Sequence, residues 1–266
     1  MINEIVFHTS EMLVFLDILR VEHLFGIDRQ RIMPDNFDDY KKEVVKGIER
    51  LEQRGLLVKD KGINILSQSL LKNIYVLVDP KVLIIVKRRV PSLGEQEFLY
   101  YLTADKCIEM TSPEEGLFRI AEIENAELLI ARLLEIFNFE SSGSANERIS
   151  LSLEEFNRLY RLIGVSQNET LLSPQDDSAG SMNHLEQLAG SFVSPLFSGS
   201  ITFCGVTLAK ISSVKDFYCL KKADSSWLFE LSEKDTNVIL GQQISVSECS
   251  KKFANILMRY MSESLN

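Results

Sequence analysis

Two stretches of this sequence repeat one another without a gap. Residues 97–105 read Glu-Phe-Leu-Tyr-Tyr-Leu-Thr-Ala-Asp, and residues 216–224, which lie 119 positions later, read Asp-Phe-Tyr-Cys-Leu-Lys-Lys-Ala-Asp. The identical positions are Phe98 and Phe217, Ala104 and Ala223, and Asp105 and Asp224. An internal repeat constrains the architecture of a chain more than any single residue does, because each copy has to form the same supersecondary unit. The sequence therefore predicts a duplicated architecture.

Each copy has the pattern of a strand, a tight turn, a second strand, a loop and a helix. The aromatic and aliphatic runs at 98–102 and 217–220 suit half-buried strands, and the small polar residues after them suit a hairpin turn. Before the second copy, residues 201–211 are predicted as a further strand and residues 210–215 as its connection. Apolar residues at helical spacing then predict a closing helix over 126–137 in the first copy and over 246–261 in the second.

A leading helix extends the repeat towards the N-terminal side of each copy. Residues 9–13 (Thr-Ser-Glu-Met-Leu) open one such helix and residues 152–156 (Ser-Leu-Glu-Glu-Phe) open the other, at an offset of 143 positions. Ser152 and Glu155 have the spacing of a capping box, in which each side chain accepts a hydrogen bond from the main chain of the other residue. Ser245 or Ser247 is placed to cap the closing helix of the second copy.

The N-terminal segment has a pattern of its own. Apolar periodicity predicts helices over 10–23 and 38–54, and Gly55 is well placed to end the second of them, because glycine adopts a left-handed backbone at little cost. A hairpin over 56–66 and a helix over 67–76 follow. Two helices, a hairpin with a charged turn and a third helix are the pattern of a winged helix.

These patterns together predict an α/β chain of the α+β type. We expect pseudo-two-fold, duplicated helix–sheet–helix halves that share a largely antiparallel sheet, with a winged-helix-like N-terminal segment. The first half is expected to span residues 1–140, with the winged-helix-like segment at about 10–76 and its sheet and helix at about 81–138. The second half is expected to span 141–266 and to contain a leading helix, a variable loop at about 166–199, a sheet and the C-terminal helix.

Composition restricts where the chain works. Its hydrophobic content is 45%, and no stretch approaches the roughly 20 consecutive apolar residues that a membrane-spanning helix needs. The N-terminus lacks a basic region followed by an apolar one, so no secretory signal is expected and the cytoplasm is the expected location. The four cysteines are scattered, which predicts buried free thiols in a reducing compartment.

The net charge of −9 is concentrated in one part of the chain. Residues 93–140 contain eleven Asp or Glu and three Lys or Arg. Because acidic surfaces repel nucleic acid and anionic membranes, we expect neither nucleic-acid binding nor membrane insertion. This stretch is either a solubilising face or an electrostatic docking surface for a protein.

No residues have the spacing of a known catalytic, metal or cofactor site. The three histidines, His8, His23 and His184, lie far apart, and there is no glycine-rich phosphate loop and no nucleophile elbow. We therefore predict no catalytic residue, no metal and no cofactor, and expect a protein that is not an enzyme. Catalytic groups can converge from distant positions, so an enzyme that uses a cleft between the halves remains an alternative.

The chain as a whole resembles a known family. A winged-helix-like opening that includes residues 47–58 (Gly-Ile-Glu-Arg-Leu-Glu-Gln-Arg-Gly-Leu-Leu-Val), a second leading helix with Leu153-Glu-Glu-Phe156, and a closing strand Trp227-Leu-Phe-Glu-Leu231 follow one another as in the EspG-like cytosolic chaperones of type VII secretion. The composition is closer to the EsaE-type members. The resemblance implies a pseudo-two-fold α/β fold and a non-catalytic chaperone or adaptor. It also implies a protein partner with an amphipathic helical hairpin, a secreted toxin that the chaperone keeps competent for export.

Large apolar residues in the variable loop are the candidate partner contacts. A chaperone of this kind needs an apolar surface that receives helical side chains at i, i+3, i+4 and i+7 spacing. The candidate residues, which stand in a segment otherwise composed like a flexible loop, are Leu171, Leu172, Phe192, Leu196 and Phe197. Packing of this loop against its own domain is the alternative.

A winged-helix transcriptional regulator with a ligand-sensing C-terminal half is the alternative function. A protein that reads DNA neutralises several phosphates with Lys and Arg. Residues 1–75 hold eleven Lys or Arg against twelve Asp or Glu, and the helix over 38–54 mixes both signs. Such mixing is more typical of a solvated helix with i,i+4 ion pairs than of a phosphate-binding surface.

Overall fold

The structure is a computed structural model, and it describes residues 4–263 apart from 22–23, 28–31, 92, 140–146, 166–194, 208–209 and 224. Eleven elements precede residue 140: β1 (Glu4–His8), α1 (Thr9–Leu19), α2 (Phe37–Gln53), β2 (Leu57–Asp60), β3 (Ile63–Leu66), α3 (Gln68–Val78), β4 (Val82–Val90), β5 (Gly94–Leu102), β6 (Cys107–Thr111), β7 (Leu117–Ile123) and α4 (Ala126–Ile136). Seven follow: β8 (Arg148–Ser152), α5 (Leu153–Val165), β9 (Phe197–Thr207), β10 (Lys210–Lys221), β11 (Ser226–Leu231), β12 (Val238–Gln243) and α6 (Val246–Glu263).

Ten of these strands form a single sheet in the order β1-β7-β6-β5-β4-β9-β10-β11-β12-β8. Every neighbouring pair is antiparallel. The remaining two strands, β2 and β3, pair only with each other. The predicted fold class is thereby confirmed: an α+β chain with a large antiparallel sheet and a winged-helix-like segment (α1, α2, β2–β3, α3) near its N-terminus.

The register of the sheet contains a pseudo-two-fold axis. Leu102 lies opposite Val82 in the first half, and Lys221, its counterpart in the repeat, lies opposite Phe197 in the second. Val82 therefore corresponds to Phe197, and four residues further on Val86 corresponds to Ile201. Val86 and Ile201 are direct partners where β4 meets β9. Residues that pair with their own counterparts lie on the axis that relates the halves, so the axis passes through this pair.

Each half begins with a strand that the sequence patterns did not reveal. β1 pairs with β7 at one edge of the sheet, and β8 pairs with β12 at the other. The main-chain N–H of His8 donates to Glu11 Oε2 at 2.7 Å, and that of Ser152 donates to Glu155 Oε2 at 2.7 Å. His8 therefore corresponds to Ser152, and the predicted offset of 143 positions, which matched Thr9 to Ser152, is wrong by one residue.

Several other boundaries differ from the predictions. α1 ends at Leu19, short of the expected residue 23, because Arg20 takes a left-handed conformation and caps it. The loop predicted before each closing helix contains a further strand, β7 or β12. Residues 210–215, predicted as a connection, belong to β10. The capping box of Ser152 and the cap of α6 by Ser245, whose Oγ accepts from Glu248 N–H at 3.3 Å, are as predicted.

α2 packs closely against α1. A Cβ atom on Gly47 would lie 2.1 Å from the main-chain oxygen of Ser10, so only glycine allows the two helices to approach this far. Arg54 Nη1 lies 2.6 Å from Glu11 Oε1, and the Glu11 side chain is fully buried. The contact between α1 and α2 therefore combines a close approach of the two helices at Gly47 with a buried ion pair between Arg54 and Glu11.

Helices cover both faces of the sheet. α4 and α6 cover the centre of one face, where Leu133 and Phe253 pack against Val86, Ile201 and neighbouring residues. The opposite face is covered in the first half by the winged-helix-like segment. In the second half α5 covers it, and the ring of Phe156 lies 5.4 Å from that of Phe229 and 5.0 Å from that of Tyr218. We call the face of the sheet that α4 and α6 cover the α4–α6 face.

Candidate partner-binding site

A groove of about 730 Å³ lies on the face opposite to α4 and α6, in the first half of the sheet. Its walls are the loop at Gly26 and Ile27, the turn between β4 and β5, and the turn between β6 and β7. Seven apolar residues line it: Ile27, Leu93, Phe98, Leu99, Met110, Pro113 and Phe118. The groove therefore has the sheet at its base, where Leu99, Met110 and Phe118 are at most 5% exposed, and three irregular segments as its walls.

Local interactions fix the wall formed by the loop. Tyr101, which is fully buried in β5, donates its hydroxyl hydrogen to the main-chain oxygen of Phe25 at 2.6 Å. Gly26 follows with a φ of 73°, and a Cβ atom there would lie 3.1 Å from Leu99 Cδ2. A left-handed backbone and this close approach both favour glycine. The loop is thereby anchored to the strand that forms the floor.

Carboxylates dominate the charge of the groove. Glu95, Glu97, Glu114 and Glu115 line it, together with one lysine and one arginine. Lys87 Nζ lies 3.9 Å from Glu97 Oε1. Arg119 is ion-paired with two other carboxylates: its Nη2 lies 3.5 Å from Glu109 Oε1, and its Nη1 lies 3.9 Å from Glu4 Oε2. The rim is therefore acidic, and the acidic stretch 93–140 supplies all four of these carboxylates.

The predicted partner contacts fall in two groups. Leu171, Leu172 and Phe192 lie outside the described residues. Leu196 and Phe197 are described, at the start of β9, and neither lines the groove. Leu196 is 47% exposed and donates its main-chain N–H to Lys221 O at 2.8 Å. Phe197 is half-buried beneath the guanidinium group of Arg88, 4.0 Å from the ring centre.

Leu196 and Phe197 nevertheless lie near the tip of the β4–β5 hairpin. Ser198, the next residue of β9, is the partner of Arg89 in β4, and the hairpin turn follows directly after Val90. At this tip Leu93 is 70% exposed, and sequence patterns did not single it out as a contact. The sequence does contain a signal for Leu93, because an apolar residue between Pro91 and Gly94 in a tight turn has no core to enter.

The four cysteine thiols are buried. Burial raises the pKa of the Cys107 thiol to about 12, that of Cys249 to about 12 and that of Cys204 to about 11, and it places the pKa of Cys219 well above its ordinary value. These thiols are protonated at neutral pH, whereas nucleophilic attack and metal binding need the thiolate. Among the described residues, no three His, Cys, Asp or Glu side chains are grouped so that they could hold a metal ion.

None of the described helices is both long enough and apolar enough to cross a membrane. The sequence matches no protein-family model, and it matches no curated protein. Its structure is similar to a solved structure of the Mycobacterium tuberculosis type VII secretion chaperone EspG5 in complex with the PE25–PPE41 dimer. The two chains share 8% sequence identity, the similarity covers 93% of each, and the TM-score is 0.63. The chain therefore has the fold of a type VII secretion chaperone, as its sequence layout suggested.

Proposed function

We propose that this protein is a non-catalytic cytoplasmic chaperone that binds a helical hairpin of a secreted protein and keeps that protein competent for export. The observation that carries the proposal is the similarity to EspG5 along 93% of both chains. That structure contains the PE25–PPE41 dimer as the chaperone's partner. For this chain we propose a toxin with an amphipathic helical hairpin as the partner.

The groove on the opposite face supports this proposal. An amphipathic helix inserts side chains at i, i+3, i+4 and i+7 into an apolar groove. Here Leu93 supplies an exposed apolar side chain at the rim, above the buried side chains of Leu99, Met110 and Phe118. Leu93 at the rim is the largest exposed apolar group of this region and is suited to contact the tip of a hairpin.

The variable loop adds a second proposed contact region. Leu196 and Phe197 lie beside the same hairpin tip as Leu93, so one partner could touch both. We propose that Leu171, Leu172 and Phe192 take part with them, because all five are large apolar residues in a segment rich in small polar ones. The groove and the loop would then contact two sides of one helical hairpin.

Co-purification tests the groove. The chain would be co-expressed with the secreted proteins encoded beside it, and complex formation would be measured by affinity capture and size-exclusion chromatography. We expect Leu93→Ser to lower affinity for the partner at least tenfold. Leu231→Ser is the matched control, since Leu231 is also exposed, at 40%, but lies in the other half of the sheet. Equal affinity of wild type and Leu93→Ser would remove this groove from the interface.

A triple variant tests the loop separately. Phe192→Ser, Leu196→Ser and Phe197→Ser would be combined, and folding would be checked by circular dichroism. We expect loss of co-purification, because the three changes remove most of the proposed apolar contact. Retained binding by a folded triple variant would confine the interface to the groove. If none of the neighbouring secreted proteins binds the wild-type chain, the chaperone proposal itself is wrong.

The regulator alternative gains no support from α2. Two of its lysines are held in i,i+3 ion pairs, Lys42 with Asp39 at 3.0 Å and Lys46 with Glu43 at 3.2 Å, so the ion pairing expected of a solvated helix is present at a shorter spacing than predicted. Arg54 is engaged with Glu11. A gel shift with genomic fragments at low salt tests the alternative, and a shift that disappears steeply as salt rises would favour it.

A further inference from the structure

The helices α4 and α6 form the outer layer of one face of the protein. They lie side by side across the centre of the sheet and pack against each other and against strands beneath them. In the described part of the chain no other helix or strand covers their outer sides. Each presents one large apolar side chain to solvent: Leu128 on α4 is 48% exposed and Met258 on α6 is 63% exposed.

A groove of about 600 Å³ runs along the outer flank of α4. Leu128 and Ala131 contribute apolar surface to it. Its carboxylates are Glu4, Glu109, Glu122, Glu124 and Glu135. Its cations are Arg119 and Arg132. Five negative and two positive groups leave this flank acidic, and Glu127 on the exposed side of α4 adds to that charge.

The corresponding groove along α6 has a volume of about 520 Å³ and the opposite charge. Leu240 and Ile256 contribute apolar surface to it. Its cations are Lys215, Lys234, Lys252 and Arg259, and its carboxylates are Glu230 and Glu233. On the exposed side of α6, Lys251 adds a positive charge and Glu248, one turn earlier, offsets it, so four cations against two carboxylates still leave this flank basic. The pseudo-two-fold axis thus relates an acidic flank to a basic one.

The axis also fixes how the helices run. It stands perpendicular to the sheet, so it makes α4 and α6 antiparallel neighbours. Two copies of the chain could stack through this face about either of two axes in the plane of the sheet. One axis places α4 on α4, which brings acidic surface against acidic surface. The other places α4 on α6 at both contacts, which brings opposite charges together.

We propose that the α4–α6 face binds a second copy of this chain, with α4 of each copy lying antiparallel over α6 of the other. Such an interface is isologous, because the same surface is used by both copies. It brings the acidic first turn of α4, with Glu127, towards the basic C-terminal part of α6, with Arg259. Complementary charge sets the orientation, and Leu128 and Met258 supply apolar contact. This assembly is independent of the proposed partner groove, which lies on the other face.

The size of the layer indicates a weak dimer. α4 has 11 residues and α6 has 18, so they are roughly 16 and 27 Å long and about 10 Å wide. Their footprint is on the order of 400 Å², and the groove rims extend it towards the roughly 800 Å² per partner of a standard stable interface. We therefore expect association that depends on concentration and, because charge guides it, on salt.

Sedimentation velocity of the full chain tests the proposal first. Between 1 and 200 μM in low salt we expect the mass to rise from that of a monomer towards that of a dimer, and about 0.5 M salt should raise the dissociation constant at least tenfold. A chain that stays monomeric at the highest concentration in low salt would overturn the proposal. So would a dimer that salt leaves unchanged.

Two charge-reversed variants give the sharper test. Lys251→Glu with Arg259→Glu makes both helices acidic, and Glu127→Lys with Glu135→Lys makes both basic. Each variant alone should be monomeric, because α4 and α6 then carry like charge, whereas an equimolar mixture should recover the dimer mass. Circular dichroism would confirm that each variant is folded. Dimers of either variant alone, or a mixture that stays monomeric, would refute this arrangement.

Discussion

Replacement of Gly47 by alanine tests how closely α1 and α2 pack. The new Cβ atom would lie 2.1 Å from Ser10 O, 2.6 Å from Ser10 C and 2.8 Å from Val14 Cγ2. Contacts below 3.0 Å are essentially never found for real Cβ atoms, so α2 has to withdraw by about 1 Å. The obstacle is main chain of a neighbouring helix, and it cannot rotate away as a side chain could.

The magnitude follows from two opposing effects. Overpacking of a tight contact costs about 1–3 kcal/mol, and we expect the upper end because the clash is with a carbonyl group. Alanine gains about 1 kcal/mol over glycine within a helix. The withdrawal also loosens Arg54 from the buried carboxylate of Glu11. We therefore expect Gly47→Ala to lower the free energy of unfolding by about 2 kcal/mol, which corresponds to a fall in Tm of about 4–8 °C for a chain of this size.

Urea unfolding followed by circular dichroism measures this difference. Lys46→Ala is the matched control, because Lys46 is the neighbouring residue on α2, its side chain is 52% exposed, and its ion pair with Glu43 lies on the surface. Exposed pairs of this kind contribute about 0–1 kcal/mol. A Gly47→Ala protein as stable as the wild type would show that the helices are not in contact at this position.

Two further predictions concern the half-buried Glu230 and the four buried cysteines. Burial raises the pKa of Glu230, but hydrogen bonds and charge from Lys252 and Lys215 outweigh that effect and hold the pKa below its usual 4.5. A carboxylate with a depressed pKa stabilises the fold at pH values above its unfolded pKa, and this stabilisation is lost as the pH falls. In urea titrations at pH 7, Glu230→Gln should therefore be about 1–3 kcal/mol less stable than the wild type. The difference should shrink below pH 4.5. All four cysteine thiols should resist a disulfide reagent at pH 7.5 in the native protein and react once it is unfolded, because burial raises the pKa of each.

These predictions have clear contrary outcomes. A stability difference for Glu230→Gln that stays constant from pH 7 to pH 3 would mean that the carboxylate is not ion-paired with Lys215, 3.0 Å away. Rapid reaction of any thiol in the native protein would mean that the core around that cysteine opens readily. The unfolded chain, in which all four thiols are accessible, is the internal control for reagent activity.

The repeat made the centre of the fold predictable from sequence. Phe98 and Phe217 occupy matching positions because successive residues of β5 and β10 point to opposite faces of one sheet, and both faces are covered there. The outer strands β1 and β8 carry no clear sequence pattern, because each has five residues and only one of the five is buried. Their partners lie more than 80 residues away in sequence, so no local pattern reports the pairing.

Residues 210–215 carry no strand pattern for a related reason. This part of β10 pairs with the end of β9, but its own side chains are mostly exposed, with Ile211 at 50% and Val214 at 53%. A strand that is solvated on both faces carries no alternation of polar and apolar residues. A register shift between Ile211 and Ser213 further disturbs the period. Main-chain pairing alone defines the strand here.

The candidate site was less predictable than the fold. The sequence shows that residues 93–140 are acidic, but only the structure shows that Glu95 and Glu114 line one groove. That groove joins the turns at Leu93 and Glu114 to the loop at Gly26, which precedes them by 67 and 88 positions in sequence. Composition points to Leu196 and Phe197 as contacts, but it does not report their position beside the hairpin tip.

The pairing of Val86 with Ile201 has a consequence for how such a chain can change over time. Two identical halves held together by the same strand contact would be a symmetric dimer, in which every substitution occurs twice and any new surface appears on both sides. Fusion into one polypeptide removes that restriction, because each position of the repeat can now vary without its counterpart. Leu99 lines a groove, whereas its counterpart Tyr218 packs against Phe156 of α5. Likewise, the flank of α4 is acidic and that of α6 is basic. Covalent linkage thus turns a symmetric scaffold into one with two distinguishable ends.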